Sequence, residues 1–152
     1  MRYLRPNIRL GLSFISRYQS AGREGDGLVV WDYHVILLHR DKDKTLVYDL
    51  DTSLPFPCDF QLYSEKSLKD ETGMMAKFHR MFRVVTGLEY LQSFSSDRRH
   101  MKDGGQWLKP PPNWECIKGS KHEEHNLDTF ISMDLQGPGT VNSLEQFRNM
   151  FS

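Results

Sequence analysis

The stretch Val29-Val-Trp-Asp-Tyr-His-Val-Ile-Leu-Leu-His39 decides how this chain is read. It is an apolar run broken by one acid, Asp32, and one histidine, His34. Valine, tryptophan, tyrosine and isoleucine dominate it, as strands prefer. The pattern predicts one long strand from about Leu28 to His39. The polar stretch at 40–44 (RDKDK) then predicts a turn, and TLVYDLD at 45–51 a second strand, so the two form a β-hairpin. With the turn centred between Asp41 and Lys42, opposed residues sum to 83, and His34 faces Asp49. Opposed Cβ atoms in an antiparallel pair lie about 4.5–5.5 Å apart, within reach of an imidazole–carboxylate hydrogen bond. A slip of two residues pairs His34 with Asp51 instead. A slip of one puts the histidine and both acids on opposite faces.

Such a pair fits two readings. A buried histidine can be satisfied by a neighbouring acid as part of the core. Alternatively, the carboxylate fixes the ring tautomer and stabilises the imidazolium, as a general base in nucleophilic catalysis requires.

Outside the hairpin the chain reads as a mixture of elements. LSFIS at 12–16 suggests a short strand, and SAGREGDG at 20–27 a glycine-rich loop. In SLPFPC (53–58) two prolines exclude a central strand, leaving an extended loop with Leu54 and Phe56 turned inward. Met74, Phe78, Met81, Phe82 and Val85 fall at helical spacing and predict a helix over 74–85. LEYLQSF (88–94) suggests helix or a short strand, residues 103–116 form a Gly/Pro loop with two tryptophans, and 126–133 form a short ordered element. SLEQFRNMF (143–151) predicts a closing helix, with Ser143 and Gln146 at capping-box spacing. A hairpin followed by helices gives the class α+β: an antiparallel sheet with packed helices, in one domain spanning 1–152.

Composition narrows the function. The 152 residues carry 20 basic and 20 acidic side chains. That balance and the lack of a recognisable module argue against a nucleic-acid partner. No run approaches the length of a membrane span. Two cysteines, Cys58 and Cys116, make no disulfide framework and suggest a reducing setting. The first 23 residues hold five arginines and no acid. They read either as a basic strand-and-loop arm or as a mitochondrial transit peptide. A metal site is the rival chemistry: His34, His39, Asp32, Asp49 and Asp51 are possible ligands, and HEEH (122–125) adds two histidines. Strand parity separates His39 from His34, and HEEH lacks the i, i+4 histidine spacing of zincins, so no metal and no cofactor are expected. In SDRRHM, Asp97 and Arg98 suggest an ordinary ion pair.

WDYHV (31–35) and YDLDTSLPFPC (48–58), followed by FRVV (82–85), SDRRHMKD (96–103), PPP (110–112), FISMD (130–134) and SLEQF (143–147), strongly resemble the protein N-terminal glutamine amidohydrolase family. The resemblance runs from Phe14 to Phe151. It implies a cysteine-dependent amidase with a papain- and transglutaminase-like arrangement. Such an enzyme converts an N-terminal glutamine to glutamate, releases ammonia, and feeds the N-degron route. It implies a monomer in the cytoplasm and nucleus, acting on proteins or peptides that begin with glutamine. The family's catalytic histidine falls on His34 and its aspartate on Asp49. Asp32 or Asp51 would meet the substrate ammonium, a reading from charge alone. The nucleophile departs from the pattern. The family's cysteine lies upstream of WDYHV, where this chain has MRYLRPNIRLGL and no cysteine. Cys58 and Cys116 match ordinary family positions. The chain is therefore expected to be N-terminally incomplete in its site, with a divergent basic start at 1–13, and inactive as written. The alternative is a truncated isoform or a paralogue that binds N-terminal peptides without turnover.

Overall fold

The computed structural model describes residues 2–7, 14–16, 29–31, 33–76, 79–121, 124–134 and 136–152. Its centre is a six-stranded antiparallel sheet. The contributing strands are β1 (Arg2–Asn7), β4 (Ile36–Asp41), β5 (Lys44–Tyr48), β6 (Cys58–Asp59), β7 (Met81–Thr86) and β10 (Thr140–Ser143), in the spatial order β10-β7-β1-β4-β5-β6. Two further strands, β2 (Phe14–Ser16) and β3 (Val29–Trp31), pair with each other, and β8 (Lys102–Asp103) pairs with β9 (Gln106–Trp107).

Helices cover both faces of the sheet. Alternate residues of β7 show how. Phe82 and Val84 join Ile36, Leu38, Val47 and Cys58 in a core closed by α1 (Phe60–Lys66) and α4 (Leu144–Phe151). Phe147 stacks on Phe82 with centroids 4.4 Å apart and meets Phe60 edge-on at 5.5 Å. Val85 points the other way, into a second core with Phe94, Leu127 and Phe130, supplied by α2 (Gly87–Ser93) and α3 (Leu127–Ile131). The class is α+β, as expected from the order of elements.

Local signals set the helix ends. Asp59 accepts from the backbone N–H groups of Gln61 and Leu62 at the start of α1, and Thr86 caps α2. Ser143 and Gln146 form both bonds of the expected capping box on α4. At the other end of α1, Arg148 from α4 donates to the Ser64 hydroxyl and to the Leu68 carbonyl, so the two helices are tied together. Gly139 enters β10 with φ +68, and a Cβ there would collide with the Val84 carbonyl, so only glycine fits.

Four expectations change. The long strand at 28–39 is two strands in different sheets, β3 and β4, separated at Tyr33–Val35. The hairpin turns at Lys42–Asp43, with Lys42 left-handed at φ 47, so opposed residues sum to 85 rather than 83: Leu37 faces Tyr48 and Asp41 faces Lys44. The helix expected over 74–85 is not formed: residues 81–86 are strand β7, paired on both sides, with buried positions on both of its faces. Two of its proposed positions, 77 and 78, lie outside the described residues. A strand covered on both faces loses its alternating polarity, and its apolar run then matches a helical template by accident. Finally, Leu54 packs on the core as expected, but Phe56 is exposed and sits edge-on to Tyr48 at 5.6 Å.

Candidate active site

Asp49 is the residue that organises the site. It follows the last residue of β5, where the ladder has ended, and starts a turn in which Thr52 N–H donates to its carbonyl. Its side chain accepts from the Asp51 backbone N–H at 3.0 Å, the local bond aspartate characteristically makes two residues on. That bond holds the carboxylate back over the sheet. Asp49 continues the buried face of β5 after Thr45 and Val47, and its side chain is wholly inaccessible.

Among the described residues two more donors reach it. His34 Nε2 lies 2.9 Å from Oδ1, and the Tyr63 hydroxyl donates to Oδ2 at 2.7 Å. The expected partner is thus found, although the register that suggested it is off by two. The reason is that neither residue belongs to the ladder. His34 precedes β4 by two positions and Asp49 follows β5 by one, so their meeting is set by the bends on either side rather than by strand opposition. The histidine side chain keeps 12% of its surface exposed. One end of the pair is therefore sealed and the other reaches solvent, the disposition a group exchanging protons with a bound molecule needs.

The remaining candidates are not gathered here. Asp32 lies outside the described residues. Asp51 contributes its backbone N–H, and its side chain is half-buried. His39 is exposed on β4, with parity opposite to the buried Leu38. His122 and Glu123 are outside the described residues, while His125 lies against Asp97 (3.2 Å) and His100 (ring centroids 5.9 Å). Among the described residues no three His, Cys, Asp or Glu side chains come together to hold a metal ion. Asp97 pairs with Arg99 rather than Arg98, and Arg99 holds its carboxyl well below the usual range. Arg98 instead donates to the carbonyls of Pro112, Trp114 and Glu115, anchoring the proline loop. Two depressions, about 430 and 790 Å³, open beside α2 and α3, lined by residues such as Glu89, Asn126, Thr129 and Gly137; neither includes His34 or Asp49.

Cys58 is buried in the α1/α4 core opposite Val47. Burial pushes its thiol up, and the neighbouring Asp59 carboxylate adds to the shift. Thiolate, not thiol, reacts, so Cys58 should resist alkylation by iodoacetamide at neutral pH in the native state and gain reactivity only above the ordinary thiol range or in urea. Mass mapping of alkylated peptides over time reads this directly; labelling of native Cys58 as fast as a free thiol would contradict it. The linked stability has a definite sign. As pH rises past the ordinary thiol range, the unfolded chain releases this proton first, so stability declines through that window.

Sequence reading missed Tyr63, because α1 went unrecognised. A signal existed: Asp59 at a cap position, followed by Phe60, Tyr63 and Ser64 at i, i+3 and i+4, all buried.

Comparison with known proteins adds an independent finding. A family model described as N-terminal glutamine amidase matches residues 14–151. The chain is 46% identical over 138 residues to a protein N-terminal glutamine amidohydrolase of Bos taurus, covering 89% of this chain and 66% of that one. It is 45% identical to the proteins of the same name from Homo sapiens and Drosophila mojavensis, in each case over 88% of this chain and 66% of the relative. The chain thus spans just under two thirds of the length of these relatives.

Proposed function

Since the chain belongs to the N-terminal glutamine amidase family, we propose that His34 and Asp49 form the acid–base half of a site that deamidates N-terminal glutamine. The observation that carries this reading is the His34–Asp49 bond at 2.9 Å, with the carboxylate sealed and the imidazole partly open. The reaction adds water across the side-chain amide and yields glutamate and ammonia. A thiolate attacks the carboxamide carbon, and His34 delivers a proton to the departing ammonia. His34 then takes a proton from the water that cleaves the thioester, and the sulfur leaves as the thiolate that began the cycle. Because Nε2 faces Asp49, the proton traffic runs through Nδ1. Asp49 holds the Nε2–H tautomer that makes Nδ1 basic. Asp51, half-buried two residues on, and Asp32 are the carboxylates we assign to the substrate ammonium, on charge.

The active-site arrangement we infer is papain- and transglutaminase-like, with the cysteine contributed from a segment these 152 residues do not include. Cys58 is a poor substitute, since burial and Asp59 both favour its neutral thiol. The quoted resemblance supports a cytoplasmic and nuclear monomer whose product enters the N-degron route. The decisive test is ammonia release from a glutamine-initiated peptide. The 152-residue polypeptide alone should give no turnover, and a full-length relative should lose activity on substitution of the residues matching His34 or Asp49. Turnover by the 152 residues near the relative's rate would overturn the assignment of the nucleophile. Unchanged activity in the relative's histidine variant would overturn the acid–base role. Binding of the peptide without turnover, seen by calorimetry, would favour a non-catalytic binding protein.

A further inference from the structure

Four large apolar side chains stand exposed close together in the chain: Trp107 (41% exposed), Leu108 (65%), Trp114 (67%) and Ile117 (42%). They lie on the hairpin β8–β9 and the proline loop that follows it. From 102 to 118 only Pro112 and Cys116 are even partly covered. Hydrogen bonds tie hairpin and loop to one another. Arg98 donates to the carbonyls of Pro112, Trp114 and Glu115, and its own carbonyl accepts from the Met101 N–H at the head of the hairpin. The far end of the loop is seated on α2. There the Ile117 carbonyl accepts from the Ser96 N–H, the Gly119 N–H donates to the Ser95 hydroxyl, and a Cβ at Gly119 would lie 2.6 Å from the Gln92 carbonyl oxygen. At the hairpin tip Gly104 and Gly105 take φ 53 and 84, as a tight two-residue turn requires. Three consecutive prolines, 110–112, each hold φ fixed. The apolar side chains are therefore held outward on a fixed frame, and clustered exposed apolar surface of this kind marks a binding face.

Charge narrows the partner. Between residues 97 and 121 stand six basic side chains and three acidic ones, in a chain whose charges balance. One of the acids, Asp97, is already matched by Arg99. The Lys102 ammonium lies over the Trp107 ring, 4.4 Å from its centre. Among the described residues Lys109, Lys118 and Lys121 have no ion-pair partner. We propose that this lobe is a peripheral docking surface for an anionic lipid membrane: Trp107, Leu108, Trp114 and Ile117 enter the interface, and Lys102, Lys109 and Lys118 meet the headgroup charges. Tryptophan beside lysine suits a bilayer interface, because the amphipathic ring sits at headgroup level and each cation gains from the negative surface. Shape favours lipid over an acidic protein segment. The four apolar side chains project from a hairpin and a loop and line neither depression beside α2 and α3, so they offer a peptide no groove there. Single-stranded nucleic acid is disfavoured, because Lys102 covers a face of Trp107 on which a base would stack. Four apolar side chains and three lysines give a shallow, reversible contact rather than insertion. The proposal is independent of the acid–base reading of His34.

The test measures co-sedimentation of the 152-residue chain with vesicles of phosphatidylcholine containing about 30% phosphatidylserine, and with vesicles of phosphatidylcholine alone. Binding to the anionic vesicles is expected at about 0.1 M salt and should weaken by about ten-fold or more at about 0.5 M. Lys109→Gln and Lys118→Gln should each weaken it by about five-fold. Trp114→Ser should weaken it as well. In the parent chain, tryptophan emission should shift to the blue on binding and be quenched by lipids brominated on the acyl chain, and Trp114→Ser should reduce both effects. All three positions are exposed, so these variants should keep the circular dichroism of the parent. Equal affinity for both kinds of vesicle, or binding to neither, would overturn the proposal. So would binding that all three substitutions leave unchanged, since it would then lie elsewhere, as on the Arg-rich start at residues 2–23. Soluble poly-glutamate is the second probe. If it binds with the same sensitivity to these substitutions while the vesicles do not, the partner is an acidic protein segment and the lipid assignment falls.

Discussion

Replacing Asp49 with alanine is expected to lower the stability of the fold by about 3 kcal/mol, the lower end of the range for removing one partner of a buried ion pair. Among the described residues three donors converge on this carboxylate: the Asp51 N–H, the Tyr63 hydroxyl and His34 Nε2. Alanine removes the acceptor that all three share. Tyr63 is buried and loses a hydrogen bond that water does not readily replace. His34 is partly exposed and can recover solvent, which is why the low end applies. Asparagine keeps the shape and one acceptor and should cost less, about 1–2 kcal/mol. Urea titration reads the difference: at a slope of roughly 1–3 kcal/mol/M the alanine midpoint moves down by about 1 M or more with the slope unchanged. If both variants unfold within about 0.5 kcal/mol of the parent, the surface-substitution range, the buried three-donor arrangement does not exist in solution.

The second large effect lies on the other face of the sheet. Arg83 projects from β7, fully buried, and its guanidinium donates to the carbonyls of Ser132 (2.9 Å), Pro138 (2.7 Å) and Asp134 (2.6 Å). Burial lowers its pKa, and the carboxylates of Asp134 and Glu89 oppose that shift. One side chain thus supplies the donors for a whole turn of chain between α3 and β10. Gly137 lies directly over it, where a Cβ would come within 3.1 Å of the guanidinium nitrogen. Arg83→Met fills the volume but removes the guanidinium's bonds to three carbonyls. The expected cost is about 3–4 kcal/mol, because bonds to a charged donor are each worth roughly 1.5–3 and the loop regains part of that from water. Arg83→Lys keeps the charge but not the planar fork and should fall between the two. Hydrogen exchange should localise the damage, with protection lost first in residues 132–143. Uniform loss of protection, or a cost for Arg83→Met below about 1 kcal/mol, would show that the loop is held by something else.

What could be read beforehand follows from how local each determinant is. The capping box of Ser143 and Gln146 is contained in four residues and was legible. The α+β class followed from the hairpin and the helices after it. Strand β7 was not legible, because its pairing with β1 and β10 involves residues tens of positions away, and burial on both faces erased the period of two. The site was legible in part. His34 and Asp49 were chosen through a hairpin register that places the turn one residue early, and they meet all the same because both sit just beyond the ladder. Tyr63 belongs to a separate helix and Arg83 to a misread strand, so no pattern along the hairpin could point to either.

The order of strands has a consequence for how such a chain is made. β1 lies between β4 and β7, with Arg2 facing Leu38 on one side and Thr86 on the other. Of the described strands it leaves the ribosome first, yet one edge waits until residue 86 has been translated. β7 in turn waits for β10 at 140–143. Until residues 140–143 have been translated the nascent chain therefore carries unsatisfied strand edges, the state that invites chaperone binding and aggregation. Vectorial folding is closed off by this topology: the sheet is completed only when translation of these residues is nearly over.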